Sequence, residues 1–600
     1  MATISTYSEV WDLDSLHDHP ESNAFRQELD GLKSELESLA AGELPVPSVD
    51  SADEWAQHMK RFSEADATFE ELRSHIGCHS AADATNKALL QLEARLASIE
   101  PLRQQIQSDV EFALRDVSDA DFEEFVGSQS DLSAIEFALS EARSNARLRL
   151  PREQELLAAD LAVDGIHAWG RMYDRICGEL KIEVMERGEI IEKSPGQVGF
   201  DSAERSIREN NFFAADKAWH RIGDTCADAL NHLAGTRLTI YGRLGLTDHL
   251  DVPLQKNRLQ RQTLETMWST ITDRKPVMLK YMQAKSRLMG IEKMAWYDQL
   301  APLQLSTTSP ELSYSEACEL IFESFGSFDE EFCDFARRCV ADRWIEAENR
   351  GGKRQGGFCT GFPLKQQSRI FMTFTNTIEG MSTLAHEIGH AYHSYVLRDQ
   401  PLLHQQYPMN LAETASTFAE AVLGAGRLTA CADVDSKLQI LDTMLSDSLG
   451  FLMNIHARFI FEDSFHRERP SGELTADRFR ELMLAAQKEA FLNGFADDGW
   501  NPNFWISKLH FYISEYPFYN FPYTFGYLLS LGLFALAGDG DDFPGRYREF
   551  LTATGCQNAE DTVQSTFGHD LGQPDFWNRS LDIVEERVNQ FADLANARGE

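Results

Sequence analysis

The sequence lacks any long apolar run. Its longest, residues 527–537, falls well short of the roughly 20 residues that span a bilayer, so no transmembrane helix is expected. The N-terminus shows no basic region followed by an apolar stretch, so no signal peptide is expected. Positive charge is scarce: 56 Lys and Arg stand against 95 Asp and Glu, a formal net charge of −39 at pH 7. Such a chain repels phosphate backbones and anionic lipid, so neither nucleic acid nor membrane is an expected partner. The nine cysteines form no Cys-x-x-Cys pair and their number is odd. This favours free thiols in a reducing, cytoplasmic setting over a disulfide framework. Proline and glycine are sparse, 19 and 38 in 600 residues, which excludes collagen-like and low-complexity architecture and favours long helices. Nothing in the sequence fixes the oligomeric state.

What is present is globular. Leu29, Leu32, Leu36 and Leu39 recur at three- and four-residue steps, and helical patterns cover roughly 21–41, 51–77, 82–116 and 131–148. The segment 182–200 alternates apolar residues and contains a Ser194-Pro195-Gly196 turn, so it reads as a connector with a small hairpin. A domain boundary is placed near residue 200, giving domains 1–200 and 201–600. Glycines 351, 352, 356, 357 and 361 open a different stretch, followed by the strand-forming run 369–375. Helices are expected from about 381 to the end. The acidic run at 539–542 lacks the remaining spacing of a calcium loop and reads as a solvated turn.

The chemistry concentrates at His386-Glu387-Ile388-Gly389-His390. On a helix, positions i and i+4 share a face, so two imidazoles can grip one metal ion with Glu387 beside them as general base. Leu384, Ile388, Ala391 and Tyr395 form an apolar stripe away from His386, His390 and His393, and Ser382 or Thr383 is a candidate N-cap. Gly389 costs about 1 kcal/mol in a helix relative to alanine, which suggests a close approach there. A catalytic zinc site needs three protein ligands and an open position. Glu413 lies 27 residues after His386, far enough for a helix, a loop and a returning helix. Asn410 with Glu413 also resembles a capping box. Beside the His-x-x-x-His helix the ligand reading is preferred, because the zinc otherwise lacks a third partner. Glu420 shares the face of Glu413 and is the natural carboxylate to orient a ligand histidine. His393 reads as packing.

A second cluster runs from His510 to Tyr527, with phenols at 516, 519, 523 and 527. Aromatic stripes are usually core. A metal hydrolase, however, needs donors aimed at a developing oxyanion, and Tyr519, Tyr523 and His510 are assigned to that role.

The combination resembles oligoendopeptidase F-type members of the thimet oligopeptidase (M3) family of zinc metallopeptidases. The resemblance rests on Thr383-Leu-Ala-His-Glu-Ile-Gly-His-Ala-Tyr-His393, Leu411-Ala-Glu-Thr-Ala-Ser-Thr417 and the 510–527 block, with support from Gly352-Lys-Arg-Gln-Gly-Gly-Phe-Cys359 and Trp11-Asp-Leu-Asp-Ser-Leu16. It implies a mainly α, two-lobed, zincin-type body with a deep substrate channel and a small active-site β-sheet. The 1–200 region would shape the channel and 201–600 would be catalytic. It implies one Zn2+ on His386, His390 and Glu413, Glu387 as base, and transition-state donors among His510, Tyr519 and Tyr523. The expected substrates are short unstructured peptides cut at internal bonds. The 369–375 strand is expected to pair with an extended peptide and the 351–361 loop to close over it. Two rivals remain: a zinc carboxypeptidase using Arg354 or Arg369 to hold the terminal carboxylate, and a non-catalytic peptide binder.

Overall fold

The computed structural model describes residues 6–305, 311–538 and 542–599. Helices dominate, and among the described residues five strands occur: β1 (Ile182–Glu186), β2 (Glu189–Lys193), β3 (Ile345–Glu346), β4 (Phe358–Phe362) and β5 (Gln367–Phe371). The mainly α class with a small sheet is what the resemblance implied. Residues 539–541 of the expected acidic turn lie outside the described residues. Among the described residues no helix is long and apolar enough to cross a membrane. Among the described residues no disulfide joins any of the nine cysteines.

The chain divides into two compact units, each drawn from three separated stretches. The first is Met1–Arg149, Ser309–Gly426 and Leu536–Gly568; the second is Leu150–Thr308, Arg427–Ala535 and His569–Glu600. A cut near residue 200 falls inside the second unit. There the β1–β2 hairpin packs through Ile182 and Val184 against Ala215 and Ala218 of the helix Arg205–Arg221. The hairpin turns at Arg187 and Gly188, both with positive φ, rather than at Ser194–Gly196.

In the first unit, the helix Asn23–Ala40 starts where Ser22 Oγ accepts from Phe25 N, and its leucine stripe is buried. It packs against the long helix Ala52–Ala82, whose Trp55, Phe69, Leu72 and Ile76 enter the same core. The sheet order is β3-β5-β4, with β5 parallel to β3 and antiparallel to β4. The expected strand at 369–375 is thus shorter, and its continuation stays bonded: Met372 N to Glu346 O and Phe374 N to Ala347 O. Because β5 is central, both its edges are taken, and the expectation that it pairs with a peptide fails. β4 is an edge strand, and it occupies the second half of the stretch expected to be a loop. Arg369, at the middle of β5, is fully buried and donates to the carbonyls of Asp12 and Ser368 and to Ser15 Oγ. It bolts the N-terminal segment to the sheet, where Trp11, Leu13 and Leu16 meet Phe362 and Phe371.

In the second unit, the helices Gly223–Leu244, Ile455–Glu468 and Ala476–Ala490 share a core with Trp505 and Tyr512. The helix Val434–Leu449 runs through a single π-helical turn, Gly450–Asn454, into Ile455–Glu468. Such turns recur at functional sites.

Candidate metal centre and active site

The motif helix runs Ile378–Leu397 and begins earlier than expected. Its N-cap is Thr377, whose side chain accepts from Gly380 N, so Ser382 and Thr383 lie inside the helix. Leu384, Ile388 and Ala391 are buried behind it. His386 and His390 project one turn apart with Nε2 atoms 3.2 Å apart. The returning helix, Met409–Ala430, crosses at Gly389: a Cβ there would lie 2.6 Å from Ala415 O and 2.7 Å from Ser416 Cα. That contact is the close approach the glycine signalled. It carries Glu413 to the histidines, with Oε2 3.4 Å from His386 Nε2 and 3.6 Å from His390 Nε2.

We expect Gly389→Ala to lose stability despite its better helix propensity. The propensity gain is about 1 kcal/mol, whereas overpacking against rigid backbone costs about 1–3 kcal/mol and forces the two helices apart. Thermal melting and metal titration would both register it. An unchanged melting temperature with unchanged metal affinity would mean that the crossing tolerates the methyl group.

The surrounding groups fix this triangle. Glu420 Oε1 lies 2.5 Å from His386 Nδ1, and its place two helical turns after Glu413 puts both carboxylates on one face. The His390 ring lies beside the Ala412 backbone. Ser416 Oγ donates to Glu413 Oε2. Glu413 therefore faces the histidines rather than capping its helix, and Asn410 lies within the first turn. Burial lowers His386, but the bonds to Glu413 and Glu420 outweigh it and push it up to about 10. Burial raises Glu413, yet the bond to His386 and the charges of His390 and His386 hold it down to about 2. His390 is lowered to about 4 by burial and by His386. Burial pushes Glu387 up to about 7, against the pull of His386, with Glu413 and Glu420 adding to the rise. Among the described residues, His386, His390 and Glu413 are the group that could hold a metal ion.

The ligand atoms fit zinc. Tetrahedral bonds of about 2.0–2.1 Å separate ligands by about 3.3–3.4 Å, and the triangle measures 3.2, 3.4 and 3.6 Å. His386, Glu387, His390 and Glu413 line a cavity of about 840 Å3 within the first unit. Its walls come from β4 and from a polar stripe on the long helix, including Asp66, Glu70 and Arg73. Gly357 passes Glu387 so closely that a Cβ there would sit 3.4 Å from Oε1. His393 is buried, meets Thr554 Oγ1 at 2.8 Å and stacks on Tyr407, so it packs and does not ligate. Tyr407 also lines the cavity and carried no recognisable signal in the sequence.

His510, Tyr519 and Tyr523 belong to the second unit, where they lie together. The His510 ring stacks on Tyr519 at 5.3 Å, and Tyr519 and Tyr523 are 5.9 Å apart. Tyr519 is presented by a left-handed Phe518, φ 56°, whose N–H is held by buried Glu462 Oε1 at 2.8 Å. His510 is lowered to about 4 by burial and by the cations Arg458 and Lys508. Tyr527 turns away to Ser448 Oγ and is core. The two arginines of the carboxypeptidase reading are both engaged: Arg354 with Glu93, and Arg369 in its buried bonds to the N-terminal segment.

Known proteins are similar to this chain over most of its length. The model of peptidase family M3 matches residues 200–583, and that of the oligopeptidase F N-terminal region matches 114–181. Oligopeptidase PepF of Bacillus subtilis is 26% identical over 400 residues, 66% of this chain and 58% of its own length. An oligoendopeptidase F homologue of Lactococcus lactis is 21% identical over 98% of this chain and 97% of its own. The crystal structure of oligoendopeptidase F from Enterococcus faecium superposes with a TM-score of 0.69 at 20% identity, covering 96% of this chain and 99% of that one. The class is that of helical metallo-oligopeptidases. Within it, the chain belongs to peptidase family M3.

Proposed function

We propose that this chain is a zinc endopeptidase that cuts internal bonds of short, unstructured peptides. The observation that carries this reading is the three-atom triangle of His386, His390 and Glu413, with Glu387 beside it in one cavity. The zinc would supply Lewis acidity toward the scissile carbonyl and acidify the attacking water. Glu387, held near neutrality by burial, takes the proton of that water and delivers it to the leaving amine. His386 is oriented by Glu420. An extended peptide adds to the free edge of β4, which binds main chain without reading sequence. A cytoplasmic site of action accords with nine cysteines that form no disulfide among the described residues.

The test is mass spectrometry of a mixed peptide digest incubated with the protein, with and without chelator. Internal cuts that vanish with chelator support the reading; single-residue losses from C-termini would replace it with a carboxypeptidase.

The same proposal gives oxyanion stabilisation to Tyr523 or Tyr519, aided by His510. Tyr523→Phe is expected to lower kcat about 10²–10³-fold with little change in KM, the usual cost of losing one such donor. Steady-state kinetics would check it. If Tyr523→Phe turns over normally and Tyr519→Phe does not, the role passes to Tyr519.

A further inference from the structure

A second cavity, of about 520 Å3, lies wholly within the second unit and is not accounted for by the chemistry above. Trp219, Trp296 and Phe504 form its apolar walls, and the π-helical turn contributes Gly450 and Asn454. Arg458 and Lys508 both face it and share one aromatic ring, with the Arg458 guanidinium carbon 5.3 Å and Lys508 Nζ 4.8 Å from the Phe504 centroid. Among the described residues neither cation forms an ion pair. This is notable in a chain where acidic residues outnumber basic ones 95 to 56. One carboxylate, Asp216, also lines the cavity, but its Oδ1 accepts from Asn503.

The guanidinium is fixed in place. Arg458 Nε donates to Asn454 Oδ1 and Nη1 to Asn520 Oδ1, each at 2.9 Å, which leaves Nη2 as its uncommitted donor. Nη1 also lies 3.4 Å from His510 Nδ1, so the cationic wall is continuous with the His510–Tyr519–Tyr523 cluster. Two adjacent, poorly solvated cations repel one another and are costly. Accordingly, burial pushes both down, Arg458 to about 10 and Lys508, with Arg458 adding, to about 8. An arriving anion relieves that cost, whereas a neutral group does not.

We propose that this cavity is a subsite for a peptide carboxylate, held by Arg458 and Lys508 while Trp219, Trp296 and Phe504 cover the neighbouring apolar part of the peptide. The proposal rests on the peptidase reading and deepens it: peptides carrying an acidic group in register with this subsite are the preferred substrates. The carboxylate belongs either to an Asp or Glu side chain or to the C-terminus, which present the same chemistry.

The experiment uses the full chain and two sets of matched peptides, Glu against Gln at each position and free acid against C-terminal amide. Binding is measured by calorimetry on the zinc-loaded Glu387→Gln protein, so that cleavage is not required, and kcat/KM is measured on the unmutated chain. At least one pair should favour the acid about tenfold or more, the size of a charge-assisted hydrogen bond. The ratio should collapse toward one in Lys508→Gln, invert toward a lysine-bearing peptide in Lys508→Glu, and return in Lys508→Arg. Which pair responds identifies the source of the carboxylate. No acid preference in any pair overturns the proposal. So does a ratio that Lys508→Gln and Lys508→Glu leave unchanged while both peptides of a pair weaken equally. If the unmutated chain cleaves nothing, it is the peptidase reading that fails, and the binding ratios still decide this one.

Discussion

Replacing Glu387 with alanine should lower kcat/KM by about 10²–10⁴-fold, the range expected when a positioned general base is removed, while leaving zinc content unchanged. Glu387 shares the motif helix with His386 and His390, but the group that could hold a metal ion consists of the two histidines and Glu413. It is 6% exposed and borders the cavity, and Gly357 passes beside its carboxylate. Burial places its protonation near neutrality, where a group both accepts and returns a proton readily. Glu387→Gln preserves shape and separates proton transfer from packing: both variants should be inactive, and both should bind peptide. Metal analysis and single-turnover cleavage are the measurements. A Glu387→Ala protein retaining a tenth or more of normal activity would remove the residue from the mechanism.

How much of this was legible follows from the distances over which each feature is specified. The motif helix was readable because helical periodicity is local: His386, His390 and the buried stripe of Leu384, Ile388 and Ala391 lie within a few turns. Gly389 announced its neighbour because an apolar helix interior otherwise disfavours glycine. Glu413 was reachable through loop-length arithmetic, although its capping-box spacing pointed elsewhere and only the fold shows it aimed at the histidines. The cavity wall was not legible. Asp66, Glu70 and Arg73 lie more than 300 residues before the motif, and on their own they look like the solvated face of a long helix. Strand order was equally hidden, since β-rich composition marks 369–375 as a strand but says nothing of whether it is central or an edge. The composition of the two units escaped because each gathers stretches hundreds of residues apart.

The proposed metal centre would divide its work between two carboxylates on the returning helix, and their variants should separate cleanly. Glu413→Ala removes one of the three proposed ligands. Its side chain is partly exposed, and Ser416 Oγ keeps a bond to Glu413 O, so the variant should fold normally. It should lose tightly bound zinc and, with it, nearly all activity at ordinary zinc concentrations, because two histidines alone leave the site one ligand short. Glu420→Ala leaves the triangle intact but frees His386 Nδ1 from the bond that sets its tautomer and ring angle. Losing a partner of this kind typically costs 10–100-fold in metal affinity. Activity in Glu420→Ala should therefore recover as zinc is added, whereas Glu413→Ala should recover little. Competition against a chelator of known affinity measures both. If Glu413→Ala binds zinc as tightly as the unmutated chain, its carboxylate is structural, and the third ligand has to be sought elsewhere around the cavity.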